Sequence, residues 1–375
     1  MAAPPTPPRN EKLYGLDHLR TLAILLVFLF HYGRLFPHPE WVNTISKFGW
    51  TGVDLFFVLS GYLIASQLFV YMAQHGTVPL KTFFLKRFFR IVPAYLFVVG
   101  LYFCFPYVHE REALAPFWKY LTFTQNLGLD IRTQGTFSHA WSLCIEEQFY
   151  LVLPLVLAAL LYVKCFRKSF ILLLLLFVAG FFIRYFSYRA FVLPDDEQSW
   201  ASWYKWIYYP TQCRLDGLLT GISIAAAFQF MPAVMQRAAQ YGNMWLLTGL
   251  GILCFAYWLC LDESSLTASL YGFPVVSIGY GFLVMGAVSP SSCLYRWQSR
   301  LTARIATLSY ALYLIHKITI HVSQDLISRT GLTADSNLMF LVCIFTTVAA
   351  AVIINFSIEQ PFMRIRSRLL QKNNY

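Results

Sequence analysis

Long apolar runs alternate with short polar segments along the whole chain. A helix needs about twenty consecutive apolar residues to cross the hydrocarbon core of a membrane. The pattern therefore predicts an all-α, polytopic bundle of about ten transmembrane helices in one membrane domain over residues 14–364. The predicted spans lie near residues 14–35, 50–72, 88–107, 143–163, 169–188, 210–230, 244–261, 269–288, 304–324 and 338–358.

The composition agrees with this pattern. Hydrophobic residues make up 58% of the chain and charged residues only 13%, whereas a soluble domain has about 25% charged residues. The formal net charge of +11 does not indicate nucleic-acid binding, because the basic residues cluster in short loops between apolar runs. The expected surroundings are a lipid bilayer, with no nucleic-acid partner.

The placement of the basic residues predicts the orientation. Lys and Arg are more frequent in the loops that share a side with the N-terminus, which makes this side cytoplasmic. An even number of spans then puts both termini in the cytoplasm. We expect a disordered tail at 1–13, a basic tail at 365–375 and a multi-pass location in the cell (inner) membrane.

The first predicted span carries costly polar residues. Asp17 and Arg20 lie near its cytoplasmic end and His31 near its outer end. Eleven residues separate Arg20 from His31, which is three helical turns plus about 20°, or roughly 16 Å. Both therefore share one face. Ionisable residues in a span are usually functional, although unrelated interfacial residues are the alternative interpretation.

The second span begins with a polar and glycine-containing segment. Asp54 is an acid in an otherwise apolar helix, and Ser60 and Tyr62 follow it. Gly52 and Gly61 permit close approach of either another helix or a ligand.

Arg87 and Arg90 introduce the third span one turn apart. They are either an orienting basic cluster or a clamp for the phosphates of a cytosolic ligand, since guanidinium groups pair well with phosphate oxygens.

The fourth span opens with a helical stripe. His139, Ser142 and Glu146 share one face, and Trp141 and Glu147 lie beside them. Paired carboxylates suit general acid–base catalysis, and polar capping of a helix start is the alternative.

Later polar residues leave both structural and functional interpretations open. Arg214 and Asp216 form either an ion pair or part of a site, and His316, with Tyr313 one turn before it, is either a buried hydrogen-bonded histidine or a pocket residue. The aromatic stretch 200–209 indicates an interfacial belt, with sugar stacking as the alternative. The eight cysteines are scattered without metal-binding spacing, so no metal site is predicted.

By this topology the candidate residues fall into two sets. The outer set, which we expect to converge, is His31, Asp54, His139, Glu146 and Glu147. The inner set is Arg20, Arg87 and Arg90.

Four motifs in order resemble the acyltransferase 3 family of membrane O-acyltransferases. They are Leu16-Asp17-His18-Leu19-Arg20 followed by His31, the segment from Gly52 to Tyr62, Arg87 with Arg90-Ile91-Val92-Pro93, and the segment from His139 to Tyr150. The resemblance covers the chain from about Leu13 to Arg364. His18 stands where a glycine is frequent in the family.

The resemblance implies transfer of an acyl group, usually acetyl, from cytosolic acyl-CoA to a sugar hydroxyl of a cell-envelope glycan or glycolipid precursor. No bound cofactor is expected, because acyl-CoA is a substrate. The resemblance identifies Arg20 and His31 as the family's essential pair and Arg87 and Arg90 as its cytoplasmic arginines.

The resulting hypothesis assigns roles to the candidate residues. His31 is a general base or a transient acyl carrier, Glu146 or Glu147 orients it, and Asp54 supports the pocket. Arg20, Arg87 and Arg90 bind the donor. The candidate pocket or acceptor-binding residues are Asp17, Ser60, Tyr62, His139, Trp141, Ser142, Arg214, Asp216, Tyr313 and His316.

The main alternative is a proton-coupled transporter or exporter of a sugar or lipid-linked glycan, in which the intramembrane acids and histidines form a proton relay. The absence of an apparent inverted repeat disfavours it. The sequence leaves the acceptor, the acyl group and the oligomeric state open.

Overall fold

The computed structural model describes residues 13–195 and 199–372, and this part of the chain is helical without any strand. The helices are α1 Tyr14–Leu35, α2 Glu40–Ser46, α3 Gly52–His75, α4 Leu80–Cys104, α5 Phe117–Leu121, α6 Trp141–Tyr162, α7 Ser169–Ser187, α8 Ser199–Trp203, α9 Asp216–Phe230, α10 Pro232–Gln240, α11 Gly242–Leu259, α12 Phe273–Ala287, α13 Cys293–Arg296, α14 Arg300–Ser328, α15 Asn337–Ile354 and α16 Gln360–Lys372.

Within the described residues, 9 helices are long and apolar enough to cross a membrane, and α9 with α10 makes a tenth candidate that bends by 105°. The prediction of an all-α bundle with about ten spans is confirmed. The expected disordered tail at 1–13 lies outside the described residues apart from Leu13. The cytoplasmic placement of both termini stays a prediction.

Two predicted span boundaries differ from the structure. The third span begins at Leu80 instead of residue 88, because its basic first turns alternate with phenylalanines that continue the helix. The last span continues from α15 through a π-helical turn, Asn355–Glu359, into α16. The predicted basic tail is thus helical as far as Lys372.

Helices α3 and α9 pack closely because small residues face each other. A Cβ atom on Gly61 would overlap the Leu218 carbonyl oxygen, and one on Gly221 would overlap that of Val58. Gly52 likewise faces the Ala23 carbonyl of α1. These glycines therefore serve helix packing, which is how membrane helices without a strong hydrophobic driving force associate.

Two buried ion pairs fix the start of α9, one to α3 and one to α7, and neither joins Arg214 to Asp216. Arg214 donates to both Asp54 oxygens at 2.9 and 3.0 Å, while Asp216 accepts from Arg184 at 2.7 Å. The interpretation of Arg214 and Asp216 as partners of each other is wrong. Each residue instead neutralises a charge on a different helix, since an unpaired charge in this environment would be costly.

The longest connection, residues 105–137 between α4 and the turn Ser138–Ala140, is the outer loop. Its Glu110 accepts a hydrogen bond from Lys317 of α14 at 2.7 Å, and both side chains are fully buried. Glu110 also accepts from the backbone N–H of Phe137. The ion pair therefore fastens the start and the end of the outer loop to α14.

Candidate active site

An inner cavity of about 150 Å³ lies among α1, α3, α4, α6 and α14. The first two turns of α1 contribute Arg20, and the first turns of α4 contribute Arg87 and Arg90. All three predicted donor-binding arginines thus line one cavity. They come from helix segments at the end of the bundle that the sequence predicts to be cytoplasmic.

The arginines are held by few partners. Arg20 contacts Asp17 at 3.3 Å. Arg87 donates to Gln67 at 3.4 Å and lies over the Tyr150 ring at 5.5 Å. Within the described residues, Arg87 and Arg90 have no carboxylate within ion-pair distance. Two guanidinium groups are therefore available to an anion in this cavity.

The two predicted catalytic glutamates line the same inner cavity. Glu146 accepts hydrogen bonds from Ser60 at 2.9 Å and from Tyr150 at 3.0 Å. Glu147 lies beside it on α6. Along α6 the lining residues extend from Tyr150 to Ser142, which is about 12 Å of helix. The inner cavity thus covers much of the depth between Arg20 and His31.

An outer cavity of about 50 Å³ lies beyond the inner one. Its lining includes His31 and His139, the aromatic residues Trp50, Trp141, Tyr204, Tyr208 and Tyr209, and two arginines, Arg34 and Arg111. The π-helical turn Tyr204–Tyr208 and the outer loop supply much of this wall. The aromatic stretch therefore contributes to a cavity and is more than an interfacial belt.

His31 forms a hydrogen-bonded pair with His316. Nδ1 of His316 is 2.8 Å from the Tyr313 carbonyl oxygen, so it carries the proton and Nε2 is an acceptor in the neutral ring. Nδ1 of His31 is 2.9 Å from the Val27 carbonyl oxygen and 3.1 Å from Nε2 of His316, and it donates to both. Nε2 of His31 is then left unprotonated, as a general base requires.

His139 completes a cluster of three imidazoles. Its ring centroid is 4.8 Å from that of His316 and 5.7 Å from that of His31. Both of its ring nitrogens are buried without a hydrogen-bond partner in the described part of the chain. Buried polar atoms of this kind are rare in structural positions, which favours a role toward a bound molecule. No metal-binding group of His, Cys, Asp or Glu was found among the described residues.

A pair of hydroxyl groups separates the two cavities. Tyr313 donates to the His139 carbonyl oxygen at 2.5 Å and accepts from Ser142 at 2.6 Å. Ser142 and Tyr313 line the inner cavity, while His139 lines the outer one. We call this pair the Tyr313–Ser142 partition. It is about one helical turn thick, because His139 of the outer cavity lies three positions before Ser142 of the inner cavity.

The model of the acyltransferase domain family matches residues 13–356 of the chain. The chain belongs to this acyltransferase family. Its curated relatives include the O-acetyltransferase OatA of Staphylococcus aureus, 28% identical over 334 residues, which cover 82% of this chain and 51% of the relative. The peptidoglycan O-acetyltransferase OatA of Listeria monocytogenes is 28% identical over 336 residues, 84% and 50% of the two chains.

This family member thus spans about half the length of the curated relatives that it matches. No solved structure matches it significantly. The resemblance to acyltransferase 3 proteins is confirmed over nearly the whole chain, and the many apolar helices make this acyltransferase-family member a multi-pass membrane protein.

The structure corrects the expected outer cluster. Glu146 and Glu147 lie in the inner cavity beside the arginines, so the expectation that either orients His31 is wrong, and His316 takes that position. His139, Ser142 and Glu146 do follow one another from the turn Ser138–Ala140 into α6, but they lie on different sides of the partition: His139 lines the outer cavity, and Ser142 and Glu146 line the inner one. One face therefore serves both cavities.

Six predicted site residues line neither cavity: Asp17, Asp54, Tyr62, Arg214, Asp216 and His316. Asp54 is buried in its ion pair with Arg214, while its neighbour Val53 lines the outer cavity. Tyr62 is buried with its ring against Phe228.

Sequence reasoning missed four residues of the candidate site. Lys317 and Glu110 fix the outer loop beside His316, and Arg34 and Arg111 line the outer cavity. A lysine inside a predicted span is costly, and Lys317 could have been found by that signal. Glu110 and Arg111 carried none, because charged residues are ordinary in an extramembrane loop.

Proposed function

We propose that this acyltransferase moves an acyl group, acetyl in the first instance, from cytosolic acyl-CoA to a sugar hydroxyl in a cell-envelope glycan or glycolipid precursor. The observation that carries the proposal is the pair of cavities with different chemistry, separated by one helical turn. The inner cavity offers cations to a phosphorylated donor, and the outer cavity offers a neutral base and aromatic walls to a sugar.

On the donor side, Arg20, Arg87 and Arg90 bind the phosphates of the coenzyme. The pantetheine arm extends along α6 past Glu147 and Glu146 and carries the thioester to the Tyr313–Ser142 partition. The roughly 16 Å between Arg20 and His31 is thereby reduced to the thickness of the partition, which has to open for the reaction.

On the acceptor side, Nε2 of His31 takes the proton of the acceptor hydroxyl as its oxygen attacks the thioester carbonyl carbon. The new C–O bond forms, the C–S bond breaks and the coenzyme leaves as a thiolate, which the proton from His31 neutralises. His316 accepts a hydrogen bond from Nδ1 of His31 and stabilises the imidazolium that forms in between.

Purified protein in detergent, incubated with radiolabelled acetyl-CoA and glycan acceptors, tests the proposal. The name of the Listeria relative makes peptidoglycan fragments the first acceptors to try. We expect label on the acceptor without any membrane gradient, and none with His31→Ala. Movement of a glycan that requires sealed vesicles and a proton gradient, without acylation, would instead support the transporter.

A further inference from the structure

We infer that the acceptor is an anionic sugar, whose carboxylate or phosphate group binds Arg111 at the mouth of the outer cavity while its hydroxyl reaches His31. This inference rests on the proposed function and specifies its acceptor class. It starts from the charges around the outer cavity, which the acyl-transfer reaction itself does not require.

Of the two arginines that line the outer cavity, Arg34 has an ion-pair partner and Arg111 has none among the described residues. It belongs to the outer loop and lines the outer cavity, and its backbone N–H donates to Thr136 at 3.2 Å. Within the described residues its guanidinium group has no carboxylate within ion-pair distance. Its neighbour Glu110 is already bound to Lys317 at 2.7 Å. A partly buried guanidinium group of this kind is well suited to an anion.

Other charges near the cavity have ion-pair partners. Arg34 donates to Glu263 at 3.0 Å, and Lys317 pairs with Glu110. Asp130, next to the cavity residue Ile131, contacts Arg132 at 2.6 Å and Lys205 at 3.9 Å. Glu112 lies close to the Arg111 side chain at Gly135 but does not line the cavity, so Arg111 is the cation that the cavity presents to an anionic acceptor.

The size of the cavity sets how the sugar enters. A volume of about 50 Å³ has room for only about three to five water molecules, so the reacting hydroxyl and its carbon fit while the ring stays at the mouth. Arg34 lies three residues beyond His31 on α1, one turn farther out on the same side. A charged substituent about one sugar ring from the reacting hydroxyl therefore meets the arginines.

The aromatic wall fits the same ligand. Tyr204 lines the cavity and is partly exposed, so its ring offers a flat face at the mouth. Trp50, Trp141 and Tyr209 also line the cavity but are almost fully buried, and they fix the wall around the reacting hydroxyl. Flat apolar faces hold a sugar ring and polar groups fix its orientation. Aromatic residues alone would bind a neutral sugar as well as an anionic one. The positive charge of Arg111 favours the anionic sugar.

Ligand-dependent thermal stability of the purified protein tests the inference without requiring acyl transfer. The probes are glucuronate, glucose 1-phosphate and neutral glucose, with sodium chloride equalising ionic strength. A ligand that binds only the folded state raises the Tm. We expect saturable rises of a few degrees with an anionic sugar and none with glucose. Comparison of the two anions distinguishes a carboxylate from a phosphate ligand.

Matched variants decide the assignment. Arg111→Gln should abolish the anion-dependent rise, Arg111→Lys should keep part of it, and Arg132→Gln, in the same loop but outside the cavity lining, should leave it unchanged. Equal rises with glucose and glucuronate, no rise with either anion, or a full rise in Arg111→Gln would overturn the inference.

The acyl-transfer assay separates this inference from the proposed function. Anion binding through Arg111 in a protein that transfers no acetyl group would refute the function and keep the site. Transfer to a neutral glycan at a rate that Arg111→Gln does not change would keep the function and refute the anionic acceptor.

Discussion

The inner and outer cavities differ in how they use charge. The inner cavity brings together arginines and glutamates from three helices, whereas the outer cavity places neutral imidazoles among aromatic rings. Charged groups suit a charged donor, and a neutral imidazole can accept a proton. The proposed function accordingly places donor binding and proton transfer on opposite sides of the Tyr313–Ser142 partition.

The largest expected effect comes from a variant that changes the outer cavity and leaves the inner cavity intact. His31→Ala removes the base of the outer cavity and should lower the rate of acyl transfer by about 10²- to 10⁴-fold. Coenzyme affinity, measured by calorimetry, should stay unchanged because the arginines are untouched. Normal transfer by this variant, with detergent-extracted protein at wild-type yield, would contradict the role of His31.

The second effect concerns the stability of the outer loop, which the Lys317–Glu110 pair holds against α14. Lys317→Met leaves the Glu110 carboxylate buried without a counter-charge, which should cost about 3–5 kcal/mol of stability. The double variant Lys317→Met/Glu110→Gln should be closer to the wild type, because no buried charge remains. Chemical or thermal unfolding measures both variants, and equal stability of Lys317→Met and wild type would show that the pair does not fasten the outer loop.

The third effect lies in the inner cavity. Arg87→Gln removes a charge-assisted hydrogen bond worth about 1.5–3 kcal/mol, which corresponds to a roughly 10- to 100-fold weaker coenzyme affinity. Arg237→Gln, on α10 and outside the cavity lining, is the matched control. If both variants bind acetyl-CoA equally well, the donor does not use the inner arginines.

The smallest effect is at the exposed surface of the outer loop. The Arg132 guanidinium lowers the pKa of the Asp130 carboxyl to about 2, from an ordinary value of about 3.9. The pair therefore contributes stability above about pH 4 that is lost as the pH falls toward 2. Asp130→Asn should cost less than about 1 kcal/mol at pH 7, as measured by thermal unfolding. A loss as large as that of Lys317→Met would contradict the distinction between buried and exposed pairs.

The hydrophobic pattern was sufficient for the spans, because each span has to satisfy the bilayer by itself. It failed for the sixth span, where α9 has only 15 residues before the bend into α10. The bend follows Phe230, and Pro232 begins the next helix, so the local cause was visible in the sequence while the direction of α10 was not.

The site was predictable within one helix and less so between helices. The common face of Arg20 and His31 follows from helical geometry, and these residues do line successive cavities on α1. The partner of His31 did not follow, because the depth of α14 relative to α1 is set by packing. Placing Glu146 beside His31 assumed that adjacent motifs converge, whereas His316, 285 residues away in sequence, makes the contact.

The Tyr313–Ser142 partition has a consequence for the cell beyond catalysis. Two polar cavities that met inside the membrane would form a path for ions, and each elementary charge crossing 100 mV dissipates about 2.3 kcal/mol. The hydroxyl pair and the His139 carbonyl satisfy one another and close that path in this state. With the predicted topology, the protein therefore keeps a chamber facing one side of the membrane closed off from a chamber facing the other, and the electrical potential of the membrane is preserved.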